Sequence, residues 1–198
     1  VNLFGVPSAG KSTGAAYIFS QLKLNGINAE LITEFAKDKV YEESKEIFKN
    51  QTYILGKQSF RQSRVKDKVD VLVTDSPLLL SAYYNEDKNI SEELNALTYK
   101  IFDSYDNYNY FINRVKPYNP SGRFQTEEEA KEIVGKMKKF LRDFNIKFEE
   151  FNGDTDGYDL GADYIVKINP NYRSSDLQLN KGEAEVLNYL VKIKKMIF

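Results

Sequence analysis

Nine consecutive residues near the start of the chain, Gly5-Val6-Pro7-Ser8-Ala9-Gly10-Lys11-Ser12-Thr13, have the types and spacing that bind phosphate. They spell G-x-x-x-x-G-K-S. Gly5 and Gly10 let the backbone curl so that successive amide N–H groups point at one anion. A helix opening after Gly10 adds free N–H groups and the positive end of its dipole. Lys11 supplies a mobile charge for the β- and γ-phosphates, and the Ser12 hydroxyl is a hard oxygen ligand for Mg²⁺. Pro7, Ser8, Ala9 and Thr13 complete the cradle. The apolar run Val1-Asn2-Leu3-Phe4 before it reads as a strand and Gly14 to Leu22 after it as a helix. The pattern predicts a nucleoside triphosphate site with ATP and Mg²⁺ as its cofactors.

Other chemistry-bearing residues fall where strands should end. Asn28 to Thr33 reads as a second strand, followed at once by Glu34. In an open parallel sheet, ligands lie beyond the carboxyl ends of the strands, so Glu34 shares a rim with the phosphate loop and can take a proton from an acceptor hydroxyl. The same residue also suits the first turn of a helix. Val69 to Thr74 is a continuous apolar strand of the kind buried in parallel sheets, and Asp75 at its end is placed to hold Mg²⁺ or its waters. Between these strands Gln51, Lys57/Gln58, Arg61 and Arg64 recur at spacings of three, four or seven, which places several on one helix face. That face is either a solvated surface or one that hydrogen-bonds a base edge and a phosphate. A further strand, 107–113, runs into a loop carrying Arg114, Lys116 and Arg123 with two prolines and a glycine. A cationic loop on the active rim can close as a lid over a transferring phosphoryl group, or it can be an ordinary surface loop.

Composition narrows the chemistry further. The chain has no His, which excludes His general bases, Ser-His-Asp triads and His-ligated metals, and no Cys, which excludes disulfides and thiolate chemistry. Acid–base work must fall to Asp, Glu, Lys or Tyr. A net charge of -1 gives no global pull toward nucleic acid, so any such binding needs a local basic patch. No apolar run approaches the ~20 residues of a membrane span. With no signal-peptide pattern in view, a cytoplasmic location is expected, the host cytoplasm if the gene is carried by a phage.

The elements that must position these residues alternate strand and helix. That order predicts an α/β three-layer sandwich with a mostly parallel, five-stranded central sheet. The fifth strand is expected at 147–152. Gly153-Asp154-Thr155-Asp156-Gly157 is expected to be a turn on the rim where an adenine could rest, and 163–168 another short strand. The tyrosines at 83, 84, 105, 108 and 110 are either base-stacking platforms or fillers at the edge of the core. Thr126-Glu127-Glu128-Glu129 has the form of a capping box opening a basic amphipathic helix. The expected division is a domain over 1–160 and a C-terminal extension, 161–198, packed on it and ending in a helix.

Taken together, GVPSAGKST, LITEFAKD, QTYILGKQSFRQSRV, VDVLVTDSPLLLSAYYN and RVKPYNPSGRFQTEEEA cover most of residues 1–155. On these stretches the chain resembles the small P-loop kinase-like proteins of tailed bacteriophages, an AAA-type ATPase family. These are related to the kinase domain of nicotinamide riboside kinases and more distantly to deoxynucleoside kinases. The resemblance implies a P-loop kinase-like fold, an acceptor-activating glutamate at Glu34 and a base-reading glutamine at Gln51. The acid-Arg-Ser signature of deoxynucleoside kinases is present only as Asp75-Ser76, without the arginine. Related phage enzymes phosphorylate 5-hydroxymethyluracil within DNA. The expected function is therefore an ATP- and Mg²⁺-dependent kinase acting on a hydroxyl of a nucleoside, a nucleotide or a hydroxymethyl-pyrimidine, free or in modified DNA. Lys11, Glu34, Asp75, Arg114 and Arg123 would be catalytic; Glu34, Gln51, Arg61 and Arg64 would bind the acceptor; Ser12 and Asp75 would hold the metal. A homodimer is compatible with this assignment, and the alternative is an ATPase or nucleotide-gated switch working with a protein partner.

Overall fold

The computed structural model describes residues 1–42, 45–115 and 127–169. Five strands form one sheet: β1 (Asn2–Phe4), β2 (Ala29–Ile32), β3 (Val71–Thr74), β4 (Asn109–Asn113) and β5 (Glu149–Asn152). Their order is β2-β3-β1-β4-β5, and every neighbouring pair is parallel. Parallel neighbours need crossovers, and helices supply them. These are α1 (Lys11–Leu24), α2 (Phe35–Tyr41), α3 (Gln51–Ser63), α4 (Leu79–Tyr83), α5 (Ser91–Phe102), α6 (Glu127–Asp143) and α7 (Thr155–Ile168), with a 3₁₀ turn at Lys45–Lys49.

The period-2 alternation of the strands splits the core between the two faces of the sheet. Leu3, Tyr110 and Ile112 point to one face and pack with Ile18 and Leu22 of α1 and Ala162, Ile165 and Val166 of α7. Phe4 and Phe111, their sequence neighbours, point to the other and pack with Leu79, Phe102, Met137 and Leu141. The result is the expected αβα sandwich, with an all-parallel sheet. Helices α4 and α6 meet each other over the second face through rings, since Tyr83 lies edge-on to Phe140 at 5.3 Å.

Two expectations are corrected near the end of the described chain. Residues 163–168 are the last two turns of α7, not a strand. Their β-branched Ile165-Val166 pair misleads locally, but Tyr158, Ala162, Ile165 and Val166 recur at three and four residues and form one buried stripe. The Gly153–Gly157 turn is also mostly helix, because the Asp154 side chain caps α7 by accepting from the Gly157 N–H at 2.9 Å. Residue 160 consequently lies inside a helix that packs along α1. The C-terminal stretch from 170, Arg123 and most of the candidate lid (116–126) lie outside the described residues. No helix among the described residues is long and apolar enough to cross a membrane.

Candidate active site

The phosphate loop takes its shape from backbone angles that few side chains tolerate. Gly5 (φ 143), Ser8 (φ 63) and Gly10 (φ 96) all have positive φ. A Cβ at Gly5 would come within 2.7 Å of the Ile112 carbonyl oxygen, so the loop also has to pass close to β4. Gly10 is the N-cap of α1, no side chain caps the helix there, and no acidic residue stands in its first turn. An uncapped helix start of this kind offers backbone N–H groups and the positive dipole end to an anion. The Lys11 ammonium lies back across the loop and donates to the carbonyls of Gly5 at 2.9 Å and Val6 at 3.2 Å. Ser12 and Thr13 are exposed at the helix mouth.

The other half of the site comes from the ends of β2 and β3. Asp75 follows β3 and is 4 % exposed, yet its Oδ1 accepts the backbone N–H of Glu34 at 3.0 Å. That bond fastens the end of β2 to the end of β3 and brings the two acidic residues side by side. A second fastening was not foreseen from sequence. The buried Gln58 on α3 accepts from the Phe35 N–H at 3.0 Å and donates to the Thr33 carbonyl at 3.4 Å. One side-chain amide thereby satisfies the backbone on both sides of Glu34.

These elements enclose a cavity of about 300 Å³ whose walls include Lys11, Glu34, Gln51, Gln58, Asp75 and Tyr84. Phe48, Ile54 and Leu80 give it an apolar side. Gln51 is buried and donates to the Phe48 carbonyl at 2.8 Å. Tyr84 keeps 37 % of its surface open. Its phenol is nonetheless held well above the usual tyrosine range, first by desolvation in the cavity wall and then by Tyr83 and Glu34. It stays protonated and able to donate. The charged lining is mixed, with Lys11 and Lys37 set against Glu34, Asp75 and Glu86.

Arg61 and Arg64 are not in this cavity. They line a separate groove with Lys57, Phe60 and the end of β2. Arg61 pairs with Asp38 at 2.6 Å and donates to the Thr33 carbonyl at 3.2 Å. Arg114 stands immediately after β4, half-buried on the same rim as the phosphate loop. Of the five tyrosines considered, Tyr84 alone lines the cavity. Tyr110 is buried and its hydroxyl donates to the Gly161 carbonyl at 3.0 Å, Tyr83 packs on Phe140, Tyr108 on Tyr164, and Tyr105 lies under the Lys66 ammonium.

Helix α7 buttresses the loop from behind. The Tyr158 hydroxyl donates to the Gly10 carbonyl at 3.0 Å, and a Cβ at Gly14 would meet the Tyr158 ring at 2.5 Å. Burial and Asp154 raise the Tyr158 phenol above its ordinary value, which keeps it a donor. Gly153 is pressed against the loop as well: its N–H donates to the Asn113 carbonyl at 2.8 Å, and a Cβ there would approach the Ala9 carbonyl oxygen to 2.1 Å. The sequence signal was present in Gly14 and Gly153, two further glycines that give a neighbour room.

A Mg²⁺–nucleotide fits this donor set. The uncapped helix start and Lys11 suit phosphate oxygens, while the Ser12 hydroxyl and the Asp75 carboxylate are the hard oxygens Mg²⁺ takes alongside phosphate and water. The family model described as "AAA domain" matches residues 1–156, from the first strand to the start of α7. No curated protein matches the chain.

Proposed function

The chain belongs to the AAA domain family, a nucleotide-binding P-loop family, and on that premise we propose that it is an ATP- and Mg²⁺-dependent phosphotransferase. Its acceptor is a hydroxyl of a nucleoside, a nucleotide or a hydroxymethyl-pyrimidine. One observation carries this: the cavity that begins at Lys11 and the loop's Pro7 continues past Asp75 to Glu34, Gln51 and an apolar wall. An apolar wall with hydrogen-bonding side chains beyond the carboxylates suits an acceptor larger than water.

When bound, the ATP–Mg²⁺ complex supplies the phosphoryl group and a positive centre that spreads its charge. The chain's own residues do the rest. The loop amides and Lys11 grip the phosphates, with Lys11 exchanging its two loop carbonyls for phosphate oxygens. Ser12 and Asp75 would hold the metal, and the hydrogen bond from the Glu34 N–H to Asp75 ties that carboxylate to the end of β2. Glu34 takes the acceptor's hydroxyl proton onto its carboxylate as the acceptor oxygen bonds to phosphorus and the bond from phosphorus to the ADP oxygen breaks. Gln51 and Tyr84 orient the acceptor by hydrogen bonds. Arg114, with Arg123 from the lid candidate, neutralises charge developing on the phosphoryl oxygens. Positioning and electrostatics carry most of the rate.

The test is phosphate transfer from ATP to nucleosides, monophosphates and hydroxymethyluracil-containing DNA, with Lys11→Ala alongside. The variant should lose about 10²–10³-fold in kcat/KM, the scale of one lost transition-state donor. A Lys11→Ala protein that transfers phosphate at the wild-type rate would contradict the assignment.

A further inference from the structure

The groove holding Arg61 and Arg64 lies on the outer edge of the sheet, where β2 has no neighbour on one side. It has a volume of about 490 Å³. Its outer wall is the exposed face of α3, on which aromatic and basic residues alternate. Tyr53 is 39 % exposed and Phe60 63 % exposed. The Lys57 ammonium lies 5.5 Å from the Tyr53 ring centre, and the Arg64 guanidinium 5.9 Å from that of Phe60. Among the described residues no carboxylate pairs with Lys57 or Arg64; only Arg61 in this groove is ion-paired, to Asp38. Between the two rings a side chain at Gly56 would meet nothing within 4 Å, so the space over the helix there is open.

Packing accounts for one edge of Tyr53, which meets the buried Phe35 edge-on at 5.7 Å, but not for Lys57, Phe60 or Arg64. The packing side of α3 is Ile54, Leu55, Gln58 and Gln62, and an exposed phenylalanine on the opposite side adds nothing to it. Rings for stacking interleaved with cations for phosphate are the requirement for binding a single nucleic-acid strand. Tyr53 and Phe60 are separated by about 10 Å along the helix axis, the rise of roughly three stacked nucleotides. The unpaired positive charge argues for a polyanion over a second copy of this chain, whose own face would repel it.

The groove also abuts the cavity. Thr33 lines the one and Glu34, the next residue, lines the other; Phe35 and Ala36 repeat the alternation. We propose that the Tyr53–Lys57–Phe60–Arg64 face of α3 is a track for single-stranded nucleic acid, which presents a hydroxyl-bearing nucleotide of the strand to Glu34. The delivery step rests on the phosphotransferase reading; the binding step does not.

Fluorescence anisotropy of the full chain with a labelled oligothymidylate of roughly 12 nucleotides tests it, run across a salt series with sedimentation in parallel. Saturable binding is expected, with log K falling against log salt at a slope of about -1.4 for two phosphate contacts, at Lys57 and Arg64, on a single strand. Arg64→Gln should flatten that slope by about 0.7, and Phe60→Ala should weaken binding roughly 5- to 150-fold. Both variants should keep wild-type ATP affinity by calorimetry, which shows that they fold. No binding at low salt, or binding indifferent to Phe60 and Arg64, overturns the proposal. So does self-association that Phe60→Ala abolishes, since the face would then join copies of the chain. Oligonucleotide binding without any phosphate transfer would keep the track and remove the kinase; transfer to free nucleosides without strand binding would do the reverse.

Discussion

At the scale of single residues, the proposed reaction divides its work between two carboxylates. Asp75 is buried and bonded to the Glu34 backbone, so it is fixed before any ligand arrives. Glu34 hangs its side chain into the cavity from the residue that this bond positions. Asp75→Asn should therefore reduce Mg²⁺-dependent nucleotide affinity, read by calorimetry with and without the metal. Arg114 follows β4 on the same rim, and in the proposed reaction Arg114→Ala should slow transfer on the order of 10³-fold, as loss of a transition-state arginine does, while ATP affinity changes little. A parallel drop in ATP affinity would move Arg114 from transition-state stabilisation to ground-state binding.

At the scale of elements, what matters is how firmly α3 and α7 hold the strand ends. Tyr158→Phe removes one buried hydrogen bond to Gly10 and should cost about 1 kcal/mol, a fall in Tm of roughly 2–4 °C for a chain of this size. Its second effect should be weaker nucleotide binding, because the loop loses its support. Unchanged ATP affinity would show that α7 stabilises the fold without tuning the site. Helix α6 is tied to the sheet by Lys138, which donates to Glu150 at 2.7 Å, with Asn113 donating to the same carboxylate at 3.1 Å. The Lys138 bond above all, then the Asn113 bond, hold the Glu150 carboxyl below its ordinary value. A folded value below the unfolded one adds stability at neutral pH that is lost as acid protonates the folded carboxyl. With 42 % of the Glu150 side chain exposed, the advantage of wild type over Glu150→Gln should be at most about 0.5 kcal/mol. It should vanish in melts below the usual carboxylate range. These contacts also mark the limit of what the sequence discloses. The shape of the phosphate loop was legible because its glycines and lysine are adjacent in sequence, and the placement of Glu34 and Asp75 because a strand's carboxyl end is a local feature. Gln58 was not, since it completes the Thr33–Phe35 backbone from more than 20 residues away. Nor was Tyr158, which acts on Gly10 across 148 positions. The end of α7 was misread because two β-branched residues outweighed a buried stripe whose partner, α1, no local window contains.

At the scale of the whole molecule, one rim of one sheet gathers the phosphate loop, Glu34, Asp75 and Arg114, and nucleotide binding should therefore stabilise the entire domain. Saturating Mg²⁺–ATP at 100 times its Kd should add about 2.7 kcal/mol, a rise in Tm of roughly 5–11 °C, and Lys11→Ala should lose most of it. The central claim concerns what becomes of the phosphate. The most direct measurement follows radiolabelled γ-phosphate from ATP in the wild type and in Glu34→Gln, with the acceptor panel present, after calorimetry has shown that both bind ATP equally. Label is expected on an acceptor hydroxyl with the wild type, with a fall of about 10²–10⁴-fold in that transfer with Glu34→Gln. Label released only as inorganic phosphate, at a rate indifferent to every acceptor and to the loss of the Glu34 carboxylate, would contradict it.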